Sequence, residues 1–361
     1  MTSSYGLSLR DYDKKPKSPY HLARVISKYK KDEFHKTFLN FIKASRPSRL
    51  ITTPGHTAAR EFIINHINTA TNKSGSVFVD SFVPDYDKLI LKYQDDLKTM
   101  SSEFKKGKKF TESMVKFLKS AKGIKGHNVI WEKAGKSKPE EYILLGANYD
   151  TLNIDKKTLE LAPNSNQPGA DNNASAVSIL LSMIEVLSEL ELKRSVRIVF
   201  YDFGEIGQAG LENYYSKYIK DDKDNNIYAY LHLKMLGYDS KINDKEKRYG
   251  NMLTYISKKD QPNFEKEKSI FETLDDQTRF ISKSVRFKTV EGEYLYEKST
   301  LFRESGIPSL VYTQNVLNDF NDKRINSSMD FAETLNIKTL YSNYKYVTSA
   351  VSHWLLMLSK K

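Results

Sequence analysis

The stretch PGADNNASAVSILL, residues 168–181, changes within a few positions from a turn sequence into an apolar helical pattern. Its Pro-Gly dipeptide favours a tight turn. Asn172 and Asn173 then favour the N-cap of a helix, because an amide side chain can accept a hydrogen bond from the first turn. Apolar residues follow at helical spacing. The stretch therefore predicts a turn that presents Asp171 and continues as a buried helix.

Two apolar runs flank this stretch and have the character of buried strands. They cover residues 142–147 and 195–201. A strand, a helix and a second strand within about 60 residues form a parallel crossover unit. Sheets of this kind bind ligands beyond the carboxyl ends of their strands. We therefore expect Asn148, Asp171 and Glu205 to converge at one edge of a sheet.

At these residues the chain resembles metallopeptidase family 28, the di-zinc aminopeptidases, which have glutaminyl cyclases as relatives. The three central segments that carry the resemblance are GANYDT (146–151), PGADNNASA (168–176) and FYDFGEIG (200–207). Further matching segments are SRLITTPGHTAAREFI (48–63), KGHNVI (125–130), LHLKMLGYD (231–239), FRESGIPSLVY (302–312) and INSSMD (325–330). The resemblance implies an α/β fold, a three-layer sandwich with helices on both faces of a central mixed, mostly parallel β-sheet.

The resemblance also implies where a metal site would lie. The family binds two zinc ions through two His, two Asp and one Glu, and a second Glu acts as the general base. At the positions of the first His, bridging Asp, base, ligand Glu, second Asp and last His, this chain has Asn148, Asp171, Gly204, Glu205, Lys234 and Asn326. Two of the six positions keep the residue type of the family, so the resemblance implies a degenerate member.

Each replacement weakens zinc chemistry. The carboxamides of Asn148 and Asn326 are poor ligands for zinc, which prefers imidazole, thiolate or carboxylate. Gly204 has no side chain that could accept a proton. Lys234 would repel a dication, and we expect its ammonium to lie between the two remaining carboxylates as their counter-ion. The sequence predicts no catalytic residue and no bound cofactor, with Asp171 and Glu205 as the ligands of any weakly bound residual metal.

Two further acids survive from the family's motifs. Asp150 and Asp330 occupy positions where the family's carboxylates orient metal-bound histidines. Without those histidines, we expect the two acids to hydrogen-bond Asn148, Asn326 or the local backbone. His56 lies outside the metal motifs and is predicted to be a surface or helix-packing residue.

The chain divides into three predicted parts. Residues 1–18 are rich in Lys and Pro, which predicts a flexible N-terminal arm. Residues 19–361 are predicted to form a single aminopeptidase-like α/β domain. Within it, the stretch 85–122 predicts a helical insertion that could cap the cleft, contact a partner or decorate the edge of the domain.

Composition limits the possible partners. The formal net charge is +12, but lysines alternate with acids, and no basic stripe with interleaved aromatic residues is visible. This pattern indicates a solvated, lysine-rich surface and no nucleic-acid partner. The absence of cysteine excludes disulfides, thiol catalysis and thiolate metal sites.

Localisation and assembly are less constrained. No stretch is long and apolar enough for a transmembrane segment, and the first twenty residues lack the apolar core of a signal peptide. The family resemblance nevertheless favours an exported protein, either periplasmic or secreted. Oligomeric state is left open.

Three functions remain compatible with these observations. The first is a catalytically inactive pseudopeptidase that binds a peptide or protein partner at the cleft or at the 85–122 insertion. The second is an active metal-dependent aminopeptidase with a remodelled site that uses Asp171 and Glu205. The third is a basic surface-binding module for anionic polymers, and it depends only on net charge.

Overall fold

The computed structural model describes residues 31–72, 74–100, 105–221, 226–240, 251–281, 285–294 and 298–356. The predicted N-terminal arm, 1–18, lies outside the described residues. None of the described helices is both long and apolar enough to cross a membrane.

Eight strands of the described chain form one mixed sheet. They are β1 Ser76–Phe82, β2 Gly126–Lys133, β3 Lys138–Asn148, β4 Arg194–Tyr201, β5 Ile227–Lys234, β6 Met252–Ile256, β7 Phe287–Glu291 and β8 Ser309–Gln314. Their order across the sheet is β1-β2-β4-β3-β5-β8-β6-β7. The central strands β4, β3, β5 and β8 run parallel, whereas the pairs β1–β2, β2–β4 and β6–β8 are antiparallel. Four parallel strands therefore end at one edge, where a ligand site is expected.

Helices cover both faces of this sheet, as the sequence predicted. They are α1 Lys31–Ala44, α2 Pro54–Ala70, α3 Tyr86–Thr99, α4 Lys105–Ser120, α5 Ser175–Glu189, α6 Ala209–Tyr218, α7 Phe264–Ile281, α8 Thr300–Glu304 and α9 Ile337–Leu356. Successive side chains of β3 point to opposite faces of the sheet and belong to two cores. Ile143 and Leu145 pack with α1, α2, α5 and α9 on one face. Leu144 packs with α6 and α8 on the other face. The three-layer fold is confirmed.

The stretch 85–122 is helical, as predicted, and consists of α3 and α4. Their apolar sides form a separate buried cluster in which Leu89 of α3 and Met114 of α4 pack with Phe203 and Ile206. The last two residues belong to the turn after β4. The insertion is therefore anchored directly beside Glu205.

The crossover helix begins later than the sequence predicted. One irregular turn, Ala170–Ala174, precedes α5, whose N-cap residue Ala174 provides no side-chain hydrogen bond. The prediction that Asn172 and Asn173 cap this helix is wrong. The Asn173 amide instead bonds backbone groups at the ends of β3 and β5, and the Asn172 amide donates to Asn326.

Candidate functional site

The carboxyl ends of three parallel strands bring the predicted residues together. Asn148 is the last residue of β3 and pairs in register with Tyr201, the last residue of β4. Lys234 ends β5, which lies on the other side of β3. Glu205 follows β4 in a short turn. Parallel strands therefore deliver an amide, a carboxylate and an ammonium to one point.

These three side chains form a hydrogen-bonded cluster. Lys234 Nζ donates to Glu205 Oε1 at 2.5 Å and to Asn148 Oδ1 at 3.0 Å. The amide of Asn148 donates in turn to Glu205 Oε1 at 3.4 Å. The side chains of Lys234 and Glu205 are 6% and 10% exposed. A charged pair so shielded from water depends on mutual neutralisation.

Asp171 is held by other groups. Its Oδ1 accepts from the backbone N–H groups of Gly237 and Tyr238 at 3.1 and 3.2 Å, and its Oδ2 accepts from the Asn321 amide at 2.9 Å. The expectation that Lys234 lies between both carboxylates is therefore met for Glu205 and not for Asp171. Burial raises the pKa of Asp171, and the three N–H donors act against that rise.

Asp150 supports the turn that carries Glu205. Its carboxylate accepts from the backbone N–H groups of Gly204 and Glu205 at 2.8 and 2.9 Å, and from the Asn148 amide at 3.3 Å. Burial, followed by the negative charges of Glu205 and Asp202, raises the pKa of Asp150 to about 7. Asp150 therefore fixes the backbone on which Glu205 sits.

Asp330 has the same role on the other side of the site. Its two oxygens accept from the backbone N–H groups of Asp171 and Asn172 at 2.8 and 3.0 Å. Burial, followed by the charge of Asp171, raises the pKa of Asp330. Its partners are backbone groups, as expected, but they lie 159 and 158 positions away in the chain and are not local, and Asn326 is held by another residue.

The two asparagines after Asp171 connect the strand ends. Asn173 donates to the backbone carbonyls of Asn148 and Leu233 at 3.3 and 3.2 Å, and its own oxygen accepts from Met235 N at 2.9 Å. Asn172 donates to Asn326 Oδ1 at 2.7 Å. Amide-to-amide and amide-to-backbone bonds therefore span the region between the turn and β5.

Gly204 lies against Asn148. A Cβ atom added at Gly204 would overlap Cβ of Asn148 and would lie 3.0 Å from Asp150 Oδ1. A larger residue at position 204 therefore requires the side chain at 148 to move. Position 204, which corresponds to the family's general base, therefore has no proton-accepting side chain and no room for a larger one.

The residues of this site do not fit a zinc ion. Both oxygens of Asp171 are occupied by N–H donors, and Glu205 is paired with an ammonium. Asp150 and Asp330 are bound to backbone N–H groups, and the carboxamides of the site are weak zinc ligands. Within the described ranges, no three or more His, Asp or Glu side chains are grouped so that they could hold a metal ion.

Sequence reasoning missed Arg49. Its guanidinium is fully buried and donates to the carbonyls of Tyr149, Pro168 and Gly169 at 2.7, 2.6 and 2.8 Å. It thereby joins the ends of two site segments, and burial lowers its pKa to about 10. The sequence feature that could have indicated its burial is its place between Ser48 and the apolar pair Leu50-Ile51, in a segment that resembles the family.

His56 is buried, so the prediction of a surface position is wrong, whereas helix packing is correct. Its Nε2 lies 2.7 Å from Asp202 Oδ1, and its ring stacks on Tyr149 with centroids 5.4 Å apart. Burial alone would lower the pKa of His56, but the Asp202 carboxylate outweighs burial and raises it. The contact between His56 and Asp202 supports the turn after β4.

A cavity of about 390 Å³ opens above the cluster. Glu205 and Lys234 lie at its base, and Lys92 and Tyr93 of α3 form part of its wall. The insertion therefore borders the cleft. Lys298 also lines it.

Comparison with known proteins agrees with this architecture. The model of peptidase family M28 matches residues 128–348. The probable aminopeptidase YDR415C of Saccharomyces cerevisiae is 27% identical over 136 residues, which are 36% of this chain and 34% of that protein. The match thus spans about a third of the length of this curated relative.

Solved structures show the same fold at low identity. The LapA aminopeptidase of Legionella pneumophila superposes with a TM-score of 0.62 at 14% identity, covering 95% of this chain and 76% of that one. A glutaminyl cyclase of Bacteroides thetaiotaomicron, solved with N-acetylhistamine, gives 0.63 at 14% identity and 92% and 99% coverage. An aminopeptidase from Aneurinibacillus sp. strain AM-1 gives 0.61 at 14% identity and 93% and 96% coverage.

Proposed function

The chain belongs to peptidase family M28. We propose that it is a non-hydrolysing member of this family and that its cleft binds a peptide or a peptide-like ligand. The observation that carries the proposal is the pair between Lys234 and Glu205, 2.5 Å apart at the base of the cleft. An ammonium occupies the space beside Glu205, the one carboxylate among the described residues that line the cavity. The fold is retained while the electrostatics of the site are changed.

The loss of hydrolysis follows from the residues that remain. Peptide hydrolysis needs a group that activates water and a group that stabilises the developing oxyanion. Gly204 offers no proton acceptor, and Glu205 is neutralised by Lys234. Asp150, Asp171 and Asp330 are fully buried and bound to N–H donors, so their carboxylates act on the protein's own backbone.

The proposal of ligand binding depends on the cavity beside the Lys234–Glu205 pair. A cavity of about 390 Å³ is large enough for one or two amino-acid side chains. Its wall includes Tyr93 from the insertion. The cleft and the 85–122 stretch, which were predicted as two separate places for a partner to bind, therefore share one surface. In this proposal the cleft acts as a recognition site and hydrolyses nothing.

Metal content tests the proposal most directly. Purified protein is exposed to zinc, freed of excess and measured by elemental analysis. We expect less than about a tenth of an equivalent per chain, because neutral amides and an ammonium replace anionic ligands. Hydrolysis of leucine p-nitroanilide in the presence of zinc should not exceed the rate in buffer.

A charge-reversing pair of variants provides the control. Lys234→Asp removes the ammonium and adds a carboxylate, and it should raise zinc uptake. Lys98→Asp makes the same charge change on the exposed part of α3 and should leave zinc uptake unchanged. One or two tightly bound equivalents in the unaltered protein, together with zinc-dependent hydrolysis, would instead establish an active aminopeptidase with a remodelled site.

A further inference from the structure

The charges that line the cleft identify the chemistry of its ligand, an inference that rests on the proposed function. Among the described residues that line the cavity, the charged side chains are Lys92, Lys234, Lys298 and Glu205. The last is paired with Lys234. Lys92 and Lys298 have no carboxylate partner among the described lining residues, although Lys298 pairs with Glu212 just outside the lining.

Lys92 and Lys298 line the cavity from two separate elements of the fold. Lys92 is exposed on α3 and makes no ion pair with the described residues. Lys298 is half-buried, donates to the carbonyl of Gly207 at 2.7 Å and pairs with Glu212 at 2.5 Å. It lies between β7 and α8, so the two ammonium groups belong to separate parts of the fold.

The described lining holds three lysines and one glutamate, so it carries more positive than negative charge, and Glu212 outside the lining offsets Lys298. Burial lowers the pKa of Lys298 and outweighs Glu212, which raises it, and the charges of Lys92 and Lys88 make smaller contributions that lower it. Like charges that approach in a partly desolvated cleft raise the free energy of the empty site. An anion bound between them removes this repulsion, whereas a cation increases it.

Apolar side chains complete the wall. Tyr93, Met235, Tyr294, Phe320 and Ile325 line the cavity. A surface of this composition contributes to affinity by burying carbon, and the two tyrosines can stack on a planar group. The cleft therefore combines a cationic rim with an apolar interior, which is complementary to an acid with an aromatic or aliphatic body.

A free N-terminal amine suits this cleft poorly. An ammonium ligand needs an unpaired carboxylate, and Glu205 already accepts from both Lys234 and Asn148. We propose that the cleft binds a carboxylate carried on an apolar body, with the carboxylate facing Lys92 and Lys298. The free C-terminus of a peptide and a small organic acid share this chemistry.

Calorimetric titration with three matched probes tests the proposal. N-acetylphenylalanine carries the carboxylate, N-acetylphenylalaninamide has a neutral amide in its place, and phenylalaninamide has that amide together with a free α-amine. We expect the acid to bind at least about tenfold more tightly than either amide, because charge-assisted hydrogen bonds are the strong ones. Binding of the acid should weaken as salt is added.

Two lysine variants on one helix localise the effect. Lys92→Gln should weaken binding of the acid about three- to tenfold, which is modest because Lys92 is exposed. Lys98→Gln makes the same charge change six residues along α3, where the lysine pairs with Asp95, and should leave affinity unchanged. Equal effects of the two substitutions would assign the affinity to net charge and overturn the proposal.

A peptide pair distinguishes the sources of the carboxylate. Acetyl-Ala-Ala-Phe with a free C-terminus should bind more tightly than N-acetylphenylalanine if the ligand is a peptide end, and more weakly if it is a small acid; either result supports the carboxylate site. Equal binding of the acid and its C-terminal amide would overturn the carboxylate inference and leave the proposed peptide-binding function standing. Zinc-dependent hydrolysis of the anilide would overturn the proposed function itself.

Discussion

Lys234 and Glu205 form an ion pair with 2.5 Å between Nζ and Oε1, at the point where strand β5 and the turn after β4 meet. Both side chains are almost fully shielded from water. Such a pair contributes little to stability compared with an apolar replacement, but each member depends strongly on the other. The dependence is mutual and can be measured.

Lys234→Met should destabilise the protein strongly, because it leaves the buried carboxylate of Glu205 without its cation. We expect a loss of about 3 to 5 kcal/mol in the free energy of unfolding, measured by urea denaturation. Adding Glu205→Gln to this variant should recover at least about 1.5 kcal/mol of that loss. Strictly additive effects of the two substitutions would show that the pair does not exist in solution.

Gly204→Ala should destabilise the protein because the added methyl group overlaps Cβ of Asn148. We expect a cost of about 1 to 3 kcal/mol, the usual range for overpacking. The cost should fall by about half or more in an Asn148→Gly background, which removes the overlapping atom while leaving Asp150 in place. An equal cost in both backgrounds would assign the effect to the backbone of the turn.

The sequence predicted the placement of the site better than its internal contacts. Apolar runs that end in polar residues indicate strand ends, and parallel strands bring these ends together whatever their side chains do. Asn148, Glu205 and Lys234 could therefore be assigned to one point. The contact between Lys234 and Glu205 was predictable because Glu205 follows β4, which is separated from β5 by β3 alone.

The partners of Asp171 could not be predicted in the same way. Its three donors come from Gly237, Tyr238 and Asn321, which lie 66, 67 and 150 positions along the chain. Neither periodicity nor turn chemistry specifies how such loops meet. The wrong helix-cap prediction has the same origin, because Asn173 bonds to strands whose position is set by the whole sheet.

Arg49 should be a major determinant of the geometry of the site. Arg49→Ala leaves the buried carbonyls of Tyr149, Pro168 and Gly169 without their donor, so we expect a loss of more than about 3 kcal/mol in unfolding free energy. Arg49→Lys should be intermediate, since one ammonium cannot reach three carbonyls in the same geometry. Chemical denaturation of both variants checks the ranking.

The control for Arg49 is Lys43→Ala, an exposed cation at the end of α1. It should change the unfolding free energy by less than about 0.5 kcal/mol. If Arg49→Ala were equally mild, water would have to satisfy the three carbonyls, and the site segments would not depend on the guanidinium.

His56 should make stability depend on pH above about pH 6.5. Burial lowers its pKa, but Asp202, with a further contribution from Asp150 and against Arg60, raises it above the ordinary value of 6.5. The folded state therefore binds the proton more tightly than the unfolded state does. The resulting stabilisation is complete below about pH 6.5 and is lost as the pH rises through the folded-state pKa.

His56→Gln removes this titration while keeping a group that can donate to Asp202. The pKa of Asp202 is lowered in the folded protein, because His56 and backbone N–H groups outweigh the effect of burial, so its own contribution is constant above pH 6. Urea unfolding between pH 6 and 9 should therefore show a steeper loss of stability in the unaltered protein than in the variant. Parallel profiles would mean that His56 is neutral in the folded state throughout this range.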